Sequence, residues 1–199
     1  PYSYNLLSIL DLYRRQLSNT LSNALQIENV KTEQVDVHDR MVVTAIKKKI
    51  VPRVLPQIKG IRISSFFMDN SAYGGDYYDA MELNPEMLAI IMADTTDAGV
   101  ESSLLGLQLY SAFHSISSGY DSPEKILHMM NWVVSTSQYS ERYANAYCIV
   151  YNAPSREIRY ANAAFAPLTV FDGQKENYIE LDTKGVPIGI ERDFIYESR

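Results

Sequence analysis

Residues 74–94 read Gly74-Gly75-Asp76-Tyr77-Tyr78-Asp79-Ala80-Met81-Glu82-Leu83-Asn84-Pro85-Glu86-Met87-Leu88-Ala89-Ile90-Ile91-Met92-Ala93-Asp94. The first half, Asp76 to Leu83, is aromatic-rich and β-prone. The second, Met87 to Ala93, is an apolar run that reads as a strand buried on both faces. Asn84-Pro85-Glu86 turns the chain between them. Symmetric antiparallel pairing about residue 85 sets Asp76 across from Asp94. Two glycines before Asp76 let the backbone turn sharply. An aspartate ending a core strand stands at the rim of a sheet.

Outward from this hairpin the pattern is mixed. Residues 101–117 place Leu104, Leu105, Leu107, Leu109, Ala112, Phe113 and Ile116 almost all round an axis, which predicts a largely buried helix. Ser122-Pro123-Glu124 opens a second helix over 122–137, with Ser122 as N-cap. Strands are expected at 146–151 and 156–163 around the turn Asn152-Ala153-Pro154-Ser155. Two more, near 167–171 and 177–181, flank Asp172-Gly173. Ile61 to Met68 alternates imperfectly and also reads as β. Strands, a helix pair, then strands predict an α+β fold with antiparallel sheets.

Upstream, 5–28 reads as a helix with a heptad seam through Leu6, Leu10, Tyr13, Leu17, Thr20, Ala24 and Ile27. It serves either as a helix packed on its own domain or as a dimerising signalling linker. Residues 29–37 read as a break, and a further helix covers 38–50, ended by Pro52 and Pro56. Its Lys47-Lys48-Lys49 run reads as a solvated face. The expected division is therefore 1–37 as a helical linker and 38–199 as the folded domain.

Composition narrows the function. The chain has 199 residues, 46% hydrophobic and 21% charged, which is globular rather than disordered. A net charge of −6 disfavours nucleic acid as a partner. The single cysteine, Cys148, excludes an internal disulfide and a cysteine-based zinc site. No apolar run is long enough to span a membrane. The chain begins at Pro1 and reads as a fragment, cytoplasmic or the cytoplasmic part of an anchored sensor. The histidines are His38, His114 and His128; the last two fall inside expected helices and read as packed or surface residues. Neither a Gly-x-Ser-x-Gly nor a Walker-type loop occurs.

The carboxylates carry the chemistry. Asp76 and Asp94 side by side repel each other unless a cation neutralises them. Hard oxygen ligands suit Mg²⁺ or Mn²⁺. The bland alternative is two turn aspartates, each capping its own backbone.

The string Gly74-Gly75-Asp76-Tyr77-Tyr78-Asp79, followed by a buried strand and Asp94-x-x-x-x-Gly99-Val100, resembles the SpoIIE/RsbU-type branch of the PPM (PP2C-like) serine/threonine phosphatases. Three further stretches resemble landmarks of that family: Ile50 to Pro56, Tyr160 to Pro167, and Gly185-Val186-Pro187-Ile188-Gly189. The resemblance implies an α-β-β-α sandwich and hydrolysis of phosphoserine or phosphothreonine by a metal-activated water. It implies Asp76 and Asp94 as catalytic metal ligands for Mn²⁺ or Mg²⁺, with the Thr95 carbonyl as a further ligand. It implies a phosphorylated regulatory protein as substrate, such as an anti-sigma-factor antagonist, and an upstream sensor domain. The sequence departs from the family pattern at Asp97-Ala98, where Gly-Lys is usual, and at Ala164-Phe165, where Gly-His is usual. Further aspartate motifs of the family have no counterpart before Arg199. A degenerate, non-catalytic partner-binding module is the alternative reading.

Overall fold

The computed structural model describes residues 37–39, 41–67, 75–96, 99–116, 119–137 and 142–199. The chain divides into two compact units, Pro1–Met41 and Val42–Arg199. The heptad helix expected over 5–28 lies outside the described residues. Every strand among the described residues belongs to the second unit.

The hairpin forms as its sequence dictates. β1 (Tyr77–Asn84) and β2 (Met87–Thr95) pair antiparallel, with Tyr77 opposite Ala93, Tyr78 opposite Met92 and Ala80 opposite Ile90. Asn84 closes the turn by accepting the Glu86 N–H on its side-chain oxygen at 2.9 Å, the local bond that makes asparagine a turn residue. β3 (Ala144–Asn152) and β4 (Glu157–Ala163) complete a four-stranded sheet in the order β1-β2-β3-β4. A separate two-stranded sheet pairs β5 (Leu168–Asp172) with β6 (Asn177–Leu181).

A helix, α1, occupies 41–50. α2 (Val100–Ile116) and α3 (Pro123–Thr136) follow β2. Both join one core with a face of the large sheet whose side chains are small or compact: Ala89, Ile91 and Ala93 from β2, Cys148 and Val150 from β3, Ala161 and Ala163 from β4. Leu105, Leu109, Phe113, Ile126, Leu127 and Met130 fill the helix side of that core. Burying each of these large side chains stabilises by about 1.5–3 kcal/mol. On the opposite face Tyr147, Ile149 and Tyr160 pack with Leu168 and Leu181 of the small sheet. Tyr147 also donates its hydroxyl to the Leu181 carbonyl at 2.9 Å. The layering is helices, large sheet, small sheet: the α+β arrangement of antiparallel sheets that the pattern predicts.

Three local expectations change. The 61–67 stretch pairs in no ladder and carries no strand. Ile61 and Ile63 instead pack by their side chains on a small cluster with Leu88 and Tyr151. α2 buries one face rather than its whole circumference, because Leu104 remains 51% exposed. Ser122 takes the extended N-cap backbone of α3 but makes no side-chain capping bond; Pro123 in the first turn supplies the start signal.

β2 also departs from uniform burial, and this shapes the site. Its helix-facing residues Ala89, Ile91, Ala93 and Thr95 are all buried. Its other face opens progressively, from buried Leu88 through half-buried Ile90 and Met92 to exposed Asp94.

Candidate functional site

Asp76 stands one step before β1, and Asp94 one step beyond the Tyr77–Ala93 pair on β2. Continued by one step, that register sets Asp76 opposite Asp94 on the same face of the sheet. Directly opposed residues of an antiparallel pair have Cβ atoms about 4.5–5.5 Å apart. Both aspartates are exposed. Both line one cavity of about 560 Å³, together with Phe66, Phe67, Tyr78, Met92 and Phe165. The cavity is apolar along the sheet and acidic at its rim, which is the placement the spacing about residue 85 predicts.

The backbone around the rim is held by contacts that leave little space. A side-chain carbon added at Gly75 would meet the Ser102 carbonyl oxygen and Thr95 Oγ1. One added at Gly106 would meet the Gly75 carbonyl oxygen at 2.7 Å. Thr95 is buried, and its hydroxyl lies 2.5 Å from that of Ser102. Two glycines and a hydroxyl pair thus seat α2 directly behind the two aspartates. Thr96 extends the link by accepting the Tyr143 N–H at 3.3 Å and donating to the Tyr143 carbonyl at 3.0 Å.

Segments distant in sequence gather here. Leu55 lines the same cavity. Asn162 accepts the Phe165 N–H at 2.7 Å and donates its amide to the Phe165 carbonyl at 2.9 Å and to Asp182 at 2.5 Å. This knot sets the turn that carries Phe165 into the cavity. Ala164, at its centre, has φ of 58°, in the left-handed region that costs an L-residue about 1–2 kcal/mol. Gly185 passes so close to the Asn162 carbonyl that no side chain fits there. Ile188 and Ala144 exchange backbone hydrogen bonds of 2.8 and 3.0 Å beside the end of β2.

Among the described residues no group of three or more His, Cys, Asp or Glu side chains is arranged to hold a metal ion. The donor set that the rim offers is the two carboxylates of Asp76 and Asp94. Mg²⁺ characteristically binds through one or two carboxylates and keeps several waters, so this donor set fits a hard divalent cation. Of the departures from the family pattern, Phe165 lines the same cavity as the aspartates, and Asp97 and Ala98 lie outside the described residues.

A second constellation escapes the sequence reading. Asp79 is only 4% exposed. Its carboxylate accepts hydrogen bonds from His114 Nε2 at 2.7 Å, the Tyr77 hydroxyl at 2.9 Å and the Ala80 N–H at 2.7 Å. His114 is therefore a partner of a buried carboxylate rather than a bystander on a helix. Burial, and after it the Asp79 charge, pushes the Tyr77 phenol far above its ordinary range, so this hydroxyl stays a donor. The signal was present in the sequence: Tyr77 and Asp79 share the inward face of β1, and an inward carboxylate needs a partner. His128 fits the packed reading, with Nδ1 donating to the Phe194 carbonyl at 3.0 Å. Cys148 is fully buried, and desolvation raises its thiol well above the usual range, which makes it inert.

Known proteins share this fold. The sequence profile of the family described as Stage II sporulation protein E (SpoIIE) matches residues 84–199. The chain is 22% identical over 153 residues to phosphoserine phosphatase RsbU of Bacillus subtilis, covering 77% of this chain and 45% of that protein. It is 24% identical over 143 residues to phosphoserine phosphatase RsbP of the same organism, covering 69% and 35%. It thus spans less than half the length of these curated relatives. Among solved structures it is similar to the RsbU and RsbW domains of a Mycobacterium tuberculosis protein, with TM-score 0.55, 23% identity, and coverage of 66% of this chain and 37% of that one. The PP2C phosphatase domain of Bacillus subtilis SpoIIE gives TM-score 0.54 and 20% identity, covering 63% and 36%. The family match spans most of the sheet and both helices behind the rim, and the chain belongs to the SpoIIE family and has its PP2C-like fold.

Proposed function

We propose that this chain is the core of a metal-dependent phosphoprotein phosphatase in bacterial signalling, acting on phosphoserine or phosphothreonine of a regulatory protein. The observation that carries the reading is the convergence of Asp76 and Asp94 on one rim of one cavity. The similarity to proteins named phosphoserine phosphatases supports it. Asp76 and Asp94 would hold Mn²⁺ or Mg²⁺, with the Thr95 carbonyl as a further oxygen ligand. Such an ion, when bound, supplies a water of lowered pKa and screens phosphoryl charge. The chain's own residues do the rest. Gly75, Thr95 and Ser102 fix the two carboxylates in register. Phe66, Met92 and Phe165 give the cavity an apolar wall beside the two carboxylates.

The proposed substrate is a phosphorylated regulator of the anti-sigma-factor-antagonist class, and an upstream sensor would act on the domain through the helix expected over 5–28. Light scattering with and without residues 1–35 tests dimerisation through that helix; identical masses refute it. Among the described residues no helix is long and apolar enough to cross a membrane.

A second reading, a phosphatase-like module that binds a partner without turnover, draws on Phe165 standing in the cavity. Manganese-dependent hydrolysis of a phosphoserine peptide by the full-length protein decides between them. The phosphatase reading expects turnover that Asp94→Asn abolishes. No turnover at any manganese concentration, with a normally folded protein, would establish the module.

A further inference from the structure

A second cavity, of about 470 Å³, adjoins the first at Asp79 and Ala80, which line both. Its walls include Lys48, Lys49, Arg53, Tyr110 and His114 as well as Asp79. We propose that this cavity is a binding site for a phosphate monoester, separate from the Asp76–Asp94 rim and independent of any phosphatase activity there.

The charge is the first support. The whole chain carries −6, yet this cavity is lined by three permanent or near-permanent cations. Asp79 is the one carboxylate among its lining residues, and that carboxylate already accepts three hydrogen bonds. Local positive potential on an acidic protein concentrates anions where the field is focused by low-dielectric walls. The Lys47-Lys48-Lys49 run, which reads as a solvated face, is thus divided by the fold: Lys47 is buried, and Lys48 and Lys49 turn to the cavity.

Preorganisation is the second. An Asp79 carboxylate accepts, so His114 must donate through Nε2, and the ring is held at 2.7 Å. Tyr110 packs on the other side of the imidazole, with ring centroids 4.3 Å apart. The ring cannot turn without breaking both contacts, which leaves Nδ1 in a fixed direction. Pro52 stands between the lysines and Arg53 and fixes the backbone there. A guanidinium and two ammonium groups are the donors that recognise a phosphoryl dianion, and the fixed imidazole forms a wall of the cavity beside them. The volume falls within the range of small-ligand pockets, larger than inorganic phosphate alone needs, and so suits a phosphoryl group carried on an organic body.

The test is a titration of the full chain in EDTA with O-phosphoserine, inorganic phosphate and, as controls, serine and chloride. The readout is the His114 ring resonance by NMR, assigned by its loss in His114→Gln. The expected result is a saturable shift with phosphoserine, and none with serine or with chloride at equal ionic strength. K48A/K49A weakens binding at least about tenfold, the value of roughly one charge-assisted contact, and Asp94→Asn leaves it unchanged. Tighter binding of phosphoserine than of phosphate identifies an ester as the ligand; equal affinities identify the free anion, and overturn the ester. No saturable shift, or equal affinity in K48A/K49A, overturns the site. Lys48 and Lys49 are exposed, so that variant folds even if His114→Gln does not.

Discussion

The side-chain hydroxyls of Thr95 and Ser102 lie 2.5 Å apart in the interior, and Gly75 is wedged against both residues. The end of β2 and the first turns of α2 are thereby joined immediately behind the aspartate rim. Gly75→Ala puts a methyl group into backbone and hydroxyl atoms that cannot yield cheaply. We expect a loss of about 1–3 kcal/mol, the usual range for overpacking, measured by urea denaturation. Unchanged stability would show that the close approach is not a constraint.

Ala164 stands at φ 58° in a turn held by Asn162. Ala164→Gly relieves left-handed strain of about 1–2 kcal/mol and gives back about 0.4–1 kcal/mol through the more flexible unfolded chain. A net gain of about 0.5–1 kcal/mol is expected from the difference of those two effects, seen as a higher Tm. A lower Tm would mean that the turn favours the alanine.

Asp79 and Tyr77 offer a coupled pair. Asp79→Ala orphans a buried phenol and removes the His114 partner, at a cost of about 1–3 kcal/mol. Tyr77→Phe removes the orphan. The double variant should therefore be more stable than the sum of the single changes implies, by about 0.5–3 kcal/mol. Strict additivity in a denaturation cycle would mean that the 2.9 Å bond contributes nothing.

Much of the hairpin was legible because its signals are local. An apolar run, a turn at Asn84-Pro85-Glu86 and period-2 alternation fix the register, and pairing about residue 85 is the pairing observed from Tyr77–Ala93 to Glu82–Leu88. The opposition of Asp76 and Asp94 follows from that register alone. What the sequence hid depends on tertiary contacts. Whether Ile61 to Phe67 forms a strand depends on a neighbouring edge to pair with, which alternation cannot reveal. The His114–Asp79 pair joins residues 35 apart, and nothing local to the helix marks that histidine. Leu104 looks like a core residue by type, yet α2 has only one face to bury. The Asn162 knot, with Asp182 and Gly185, joins three segments that only the folded chain brings together.

Joint action of Asp76 and Asp94 on one divalent ion is the central claim of the proposed function. Titration calorimetry of the full-length protein with Mn²⁺, beside Asp76→Asn and Asp94→Asn variants of matched circular dichroism, tests it head-on. Saturable binding that either substitution abolishes is expected, because both side chains are exposed and their loss should spare the fold. A silent titration of the unaltered protein, or binding indifferent to both substitutions, would refute it.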